Sequence, residues 1–125
     1  ADQWGAPTRA ALIADVTAHI LRTLSTQGDV PAGIYHLAAA GETTWHGYAQ
    51  LVLAQAQARG LALRVTADQV NAIPSSAYPT RARRPANSRL DTARLRQTFG
   101  LQLPPWQDGV RAVVAELAQP PLPRP

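Results

Sequence analysis

The sequence predicts an α/β layer in which helices pack with a short parallel strand pair. Three observations carry that prediction. Apolar residues recur at helical spacing in separate segments, two short runs rich in strand formers flank one of the helices, and glycines stand where helices should stop. The first helix opens near Thr8, a candidate N-cap, and Leu12, Ile13, Val16, Ile20, Leu21 and Leu24 form one apolar face up to a stop at Gly28. Residues 33–38, GIYHLA, follow a turn containing Pro31 and read as the first strand. A second helix begins at about Trp45 under Thr43 or Thr44 as cap; Tyr48, Leu51, Val52 and Gln55 mark its faces, and Gly60 ends it. Residues 61–65 read as the second strand. Two strands joined through a helix need a crossover and therefore run parallel. After a turn at residues 66–70 comes an arginine-rich loop, then a helix over residues 92–99 with Asp91 as candidate cap and Gly100 beyond its end. The last helix begins near Pro105, where the first turn tolerates proline, and gathers Trp106, Val110, Val113, Val114 and Leu117 on one face. Residues 1–119 thus read as one domain, and the Pro-rich residues 120–125 as an extended or flexible tail.

Composition narrows the function classes. A chain of 125 residues supports one domain that buries roughly two thirds of its unfolded surface. Its 46% hydrophobic and 16% charged content excludes a highly charged disordered chain, and no apolar run reaches the roughly 20 residues of a membrane span. All 12 basic residues are Arg, with no Lys, Met or Cys, so the chain offers no lysine base, thiolate nucleophile or disulfide. The lack of Met, with a start at Ala1 that reads as the middle of a strand-to-helix connection, predicts a segment of a longer polypeptide. A net charge of +4 does not by itself imply nucleic acid, and aromatics are not interleaved with the arginines as a single-strand stacking platform requires. His19, His36 and His46 lack metal-ligand spacing and have no Cys companions.

Residues 76–92, SAYPTRARRPANSRLDT, are the most informative stretch. Pro79 and Pro85 fix φ and remove backbone donors, which predicts an ordered loop in place of a helix or a central strand. Its arginines are Arg81, Arg83, Arg84 and Arg89, and Asn87 and Ser88 add neutral donors. A guanidinium is a planar fork that matches phosphate oxygens bidentately, so this chemistry suits a phosphate or diphosphate. A basic surface loop that serves solubility is the other reading of such a charge run.

Ordered along the chain, Asp2-Gln3-Trp4-Gly5-Ala6-Pro7-Thr8 with Ile13-Ala14-Asp15, Tyr35-His36-Leu37, Thr43-Thr44-Trp45, Tyr78-Pro79-Thr80, Arg84-Pro85-Ala86-Asn87-Ser88-Arg89-Leu90 and Phe99-Gly100-Leu101 through Pro104-Pro105-Trp106 carry a resemblance. They resemble the C-terminal part of the dTDP-4-dehydrorhamnose reductase family, within the extended short-chain dehydrogenase/reductase fold, over nearly the whole chain. The resemblance implies the substrate-binding lobe of a cytoplasmic NADPH enzyme that reduces the C4 ketone of dTDP-6-deoxy-L-lyxo-4-hexulose to give dTDP-L-rhamnose. It also implies that the cofactor turn and the catalytic Tyr and Lys belong to an N-terminal Rossmann-type domain absent from this chain, so the fragment alone is expected to be inactive. The absence of Lys keeps Tyr35, Tyr48 and Tyr78 from acting as the proton donor of such a pair.

On that resemblance Arg84, Arg83, Asn87, Ser88 and Arg89 are candidates for the diphosphate or nucleotide, with Arg84 first. Tyr78 and Thr80 could border sugar or base, and Gln3 could face the sugar. Alternatives stand beside these assignments: a salt bridge from Arg89 to Asp91 or Asp108, a half-buried packing role for Tyr78, and a capping or tethering role for Asp2 and Gln3. Some relatives hold a divalent metal such as Mg2+ at a dimer contact. Glu116 is the one candidate ligand here, and Ala11 stands where a partner carboxylate would be useful, which speaks against the metal. The expected partners are a dTDP-sugar, the cofactor domain of the same polypeptide and a second copy in a homodimer, without nucleic acid or membrane. Trp45 and Trp106 are expected as core anchors at helix starts. A non-catalytic binding or regulatory subunit that keeps the reductase fold is the alternative function.

Overall fold

The computed structural model describes residues 1–82 and 84–119. Its elements are β1 (Trp4–Gly5), α1 (Ala10–Gln27), β2 (Thr43–Thr44), α2 (Trp45–Ala58), two 3-10 turns (Ala67–Gln69 and Ser75–Ala77), α3 (Ala93–Phe99) and α4 (Trp106–Leu117). The periodicity-based helices are all present. α1 stops where Gly28 takes a positive φ of 63°. At the end of α3, Gly100 takes the left-handed conformation and lets the Leu101 N–H return to the Arg96 carbonyl at 3.0 Å, a helix closure that only glycine adopts without a Cβ penalty.

The caps differ from expectation in detail. Thr8 does not cap α1, whose N-cap is Arg9; the Thr8 hydroxyl donates to the Ala6 carbonyl and accepts the Ala39 N–H, tying the entry of α1 to the segment before β2. Asp91 is likewise not the N-cap of α3, which is Thr92 without a side-chain cap; one residue earlier, Asp91 accepts the Ala93 N–H at 2.8 Å. Thr44 caps α2 through the Gly47 N–H at 3.2 Å. Thr44→Ala is expected to cost about 1 kcal/mol, the usual loss for such a cap, which urea unfolding of the two proteins would measure.

The parallel strand pair is a correction. Residues 33–38 and 61–65 form no strands; the sheet consists of β1 and β2, antiparallel, with Trp4 opposite Thr44 and Gly5 opposite Thr43. The apolar runs had a different physical origin. Tyr35 and Leu37 pack against one core cluster, and Leu61 and Leu63 against another, so the alternation reports side-chain burial without ladder pairing. The backbone at Ile34 and Ala32 is held from outside, by the Arg94 guanidinium donating to both carbonyls. That guanidinium also lies 4.5 Å from the Tyr35 ring centre.

Two apolar clusters meet at Leu12. One joins Ala39, Ala56, Trp106, Val110 and Val114, packing α2 on α4; the other joins Val16, Leu95, Phe99 and Leu103, packing α1 on α3. The α1 face predicted as continuous is therefore divided: Val16 is buried, Leu12 and Ile20 are half-buried, and Ile13, Leu21 and Leu24 are exposed. A parallel bridge between Ala40 and Pro105 locks the two clusters together, through Ala40 N–H to the Pro104 carbonyl at 2.8 Å and Trp106 N–H to the Ala40 carbonyl at 2.9 Å. Among the described residues no helix is long and apolar enough to cross a membrane.

Candidate functional site

β1 is short but sits at the centre of the site, because three chain segments converge on it. On one side it pairs with β2. On the other, the Trp4 N–H donates to the Ala86 carbonyl and the Ser88 N–H to the Trp4 carbonyl, each at 2.8 Å, a parallel bridge that brings the end of the arginine loop alongside. The start of the loop is held by the same terminal segment. The Asp2 carboxylate accepts the Ser75 N–H at 3.0 Å and the Ser75 hydroxyl at 2.6 Å, and the Gln3 amide donates to that hydroxyl at 2.9 Å. The two ends of the loop are thus anchored at Asp2 and Trp4, two positions apart on the terminal segment.

The tethering role considered for Asp2 and Gln3 is what the geometry displays. Hydrogen bonds from the Ser75 hydroxyl and then its N–H hold the Asp2 carboxyl below its ordinary value of 3.8. A depressed carboxyl contributes its hydrogen bonds above the unfolded value and loses them as pH falls through the folded one. The midpoint of the pH-dependent shift of the Ser75 amide proton should therefore fall below 3.8. A midpoint above that value would contradict the anchor.

A cleft of about 640 Å³ opens between this hub and the α2–α4 pair. Gln3, Arg84 and Ser88 edge it, together with Arg9; Trp45, Tyr48 and Val113 contribute to its apolar side. Its size falls within the range of small-molecule sites. The structure therefore brings three of the sequence candidates to one cavity. It does not bring Asn87, Arg89, Tyr78 or Thr80 there. Asn87 accepts from both the backbone N–H and the Nε of Arg89, while Arg89 donates to Glu42 at 2.9 Å and lies 6.0 Å over the Trp4 ring. The ion pair foreseen for Arg89 thus forms, but with Glu42 in place of Asp91 or Asp108. Arg89 instead lines a second cavity, of about 410 Å³, with Glu42 and Arg96. Thr80 donates to the Ala82 carbonyl within its own turn, and Tyr78 is 70% exposed, which removes the half-buried alternative. Arg83 and the tail 120–125 lie outside the described residues.

Trp106 is a core anchor at 6% exposure, but Trp45 is 61% exposed, a correction to its expected burial. A helix-start position predicts an aromatic at a junction, and only tertiary placement determines whether that junction is covered. Trp45 is the cleft residue that sequence reasoning misassigned, and no pattern local to it in the sequence reports its exposure. His19 and His46 each direct Nε2 to a backbone carbonyl, of Phe99 and Val70 respectively, which assigns the N–H to that nitrogen. The Glu116 carboxylate is engaged by the Arg9 guanidinium, and among the described residues no three His, Cys, Asp or Glu cluster as a metal set requires.

These observations describe a small helix-rich lobe with a cleft that combines part of an arginine loop with an apolar wall. The family model of the RmlD substrate binding domain matches residues 1–119, and the chain belongs to that family. It is 52% identical over 116 residues to dTDP-4-dehydrorhamnose reductase of Shigella flexneri, and 44% identical over 120 residues to the protein of the same name from Burkholderia thailandensis. Those alignments cover 93% and 94% of this chain but 38% and 40% of the relatives, so the chain spans well under half the length of the curated relatives it matches. Among solved structures it is similar to dTDP-4-dehydrorhamnose reductase of Bacillus anthracis strain Ames in complex with NADP, with TM-score 0.67 and 26% identity over 93% of this chain and 36% of that one.

Proposed function

We propose that this chain is the substrate-binding lobe, residues 1–119, of an extended short-chain reductase that acts as a dTDP-4-dehydrorhamnose reductase. The parent enzyme would reduce dTDP-6-deoxy-L-lyxo-4-hexulose with NADPH to dTDP-L-rhamnose in the cytoplasm. The lobe would hold the dTDP-sugar and supply no hydride-transfer group of its own. The supporting observation is that Arg84 and Ser88 of the arginine loop share one cleft with Gln3 of the β1 segment. Arg84 takes the diphosphate as a bidentate fork, Ser88 adds a neutral donor, and Gln3 faces the sugar. Asn87 and Arg89 act behind them, as a hydrogen-bonded pair that stiffens the loop end next to Trp4. Arg83 is assigned to the diphosphate or nucleotide, and Tyr78 and Thr80 to the border of the sugar or base. The missing cofactor domain would form the opposite wall, bind NADPH and provide the catalytic Tyr and Lys. Its closure would fix the C4 ketone near the nicotinamide, so the contribution of this lobe is positioning and charge neutralisation.

Calorimetric titration of the 125-residue chain with dTDP, dTDP-rhamnose and NADPH tests the reading. Binding of both dTDP ligands without NADPH is the expected result. Binding of NADPH alone would contradict it.

A further inference from the structure

Resting on the diphosphate reading above, we infer that the Trp45 indole is the nucleobase platform of the cleft, a role that makes it a specificity-determining residue for the nucleotide end of the ligand. The exposure is the first argument. An indole left 61% in water at the start of a fourteen-residue helix forfeits burial that Trp106, at the equivalent start of α4, obtains in full. The exposure is also not solitary. Val113 at 38% and Leu117 at 73% line the same cleft, so Trp45 belongs to an apolar patch inside a concavity, the arrangement expected of a ligand or partner site.

Restraint is the second argument. The Tyr48 ring, one turn along α2, packs against Trp45 with centroids 6.0 Å apart and planes at 85°, and Thr44 fixes the helix start directly before it. A side chain held in this way can stack on a flat ligand with little further loss of conformational freedom. The other exposed indole of the cleft, Trp4, is already approached by the Arg89 guanidinium. Among the described residues no cation approaches Trp45 in this way.

The third argument is charge placement. Arg84 and Ser88 edge the cavity to which Trp45 contributes its wall, so one site offers phosphate donors and an aromatic surface. A ligand with an anionic part and a flat aromatic part satisfies both, and a nucleoside diphosphate has that composition. Stacking on an aromatic side chain tolerates any base, so Trp45 supplies affinity for the nucleobase, and base identity is left to other contacts.

The test compares the native chain, Trp45→Ala and Trp45→Phe, each titrated with dTDP and with inorganic pyrophosphate, and adds intermolecular NOE spectra of the native chain with dTDP. Trp45→Ala should weaken dTDP about tenfold, from the loss of one base–aromatic stack, and leave pyrophosphate affinity unchanged. Trp45→Phe should recover most of the loss, and the thymine methyl should show NOEs to the indole protons. Unchanged dTDP affinity in Trp45→Ala, or thymine NOEs confined to other residues, overturns this inference while pyrophosphate binding keeps the diphosphate reading intact. A native chain that binds neither ligand overturns both.

Discussion

Arg84→Ala should weaken dTDP binding by roughly 10- to 100-fold, because a hydrogen bond to a charged group contributes about 1.5–3 kcal/mol. The ion pairs found among the described residues engage Arg9, Arg89 and Arg111 and leave Arg84. Arg84 edges the cleft, and among the described residues no carboxylate pairs with it. Arg84→Lys keeps the charge but loses the planar pair of donors, so it should fall between the native chain and the alanine variant. Arg84 is exposed, and replacing it should shift stability by no more than about 0.5 kcal/mol, which separates a binding defect from a folding one. Calorimetry with dTDP supplies the affinities and thermal unfolding the control. An alanine variant that binds dTDP like the native chain would remove Arg84 from the site.

The second large effect is on stability. Leu95 is 1% exposed and joins α1 to α3 through Val16, Phe99 and Leu103. Leu95→Ala removes apolar contacts and leaves a cavity, at a cost of about 2–5 kcal/mol. In a domain whose total stability is on the order of 5–15 kcal/mol, that should lower the melting temperature by roughly 10 °C or more. Leu21→Ala, at a position 62% exposed on the same α1, should change it little. Equal effects at the two positions would show that the α1–α3 cluster does not carry the fold.

The helices were legible in the sequence because burial of one face imposes a 3.6-residue period, and because Gly28 and Gly100 mark stops by their backbone freedom. The strands were not. Residues 33–38 and 61–65 have the composition of strands, yet their side chains are drawn into two helical clusters and their backbones find no ladder. The actual pair, Trp4–Gly5 and Thr43–Thr44, is two residues long on each side and carries no periodicity to read.

The candidate site was half legible. Residue chemistry drew attention to Arg84 and Ser88, which do edge the cleft, and grouped Arg89 and Asn87 with them while leaving a salt bridge open for Arg89. Their separation comes from Glu42, a residue distant in sequence that recruits Arg89 to the other side of β1. In the same way, exposure at Trp45 depends on what α4 leaves uncovered, which no local pattern encodes. The anchoring of the loop start is a third case: Asp2 and Ser75 meet because a long loop returns to the terminal segment, and neither residue signals that contact by type.

We propose that this lobe carries its own nucleotide-diphosphate site between the arginine loop and the α2–α4 wall. Residue-resolved NMR titration of the 125-residue chain with dTDP-rhamnose tests it most directly. Saturable shifts at Gly5, Trp45, Arg84 and Ser88, with the amides of the Leu95 cluster unmoved, are the predicted result. Saturable shifts located elsewhere, or none at ligand concentrations in the millimolar range, would contradict the account.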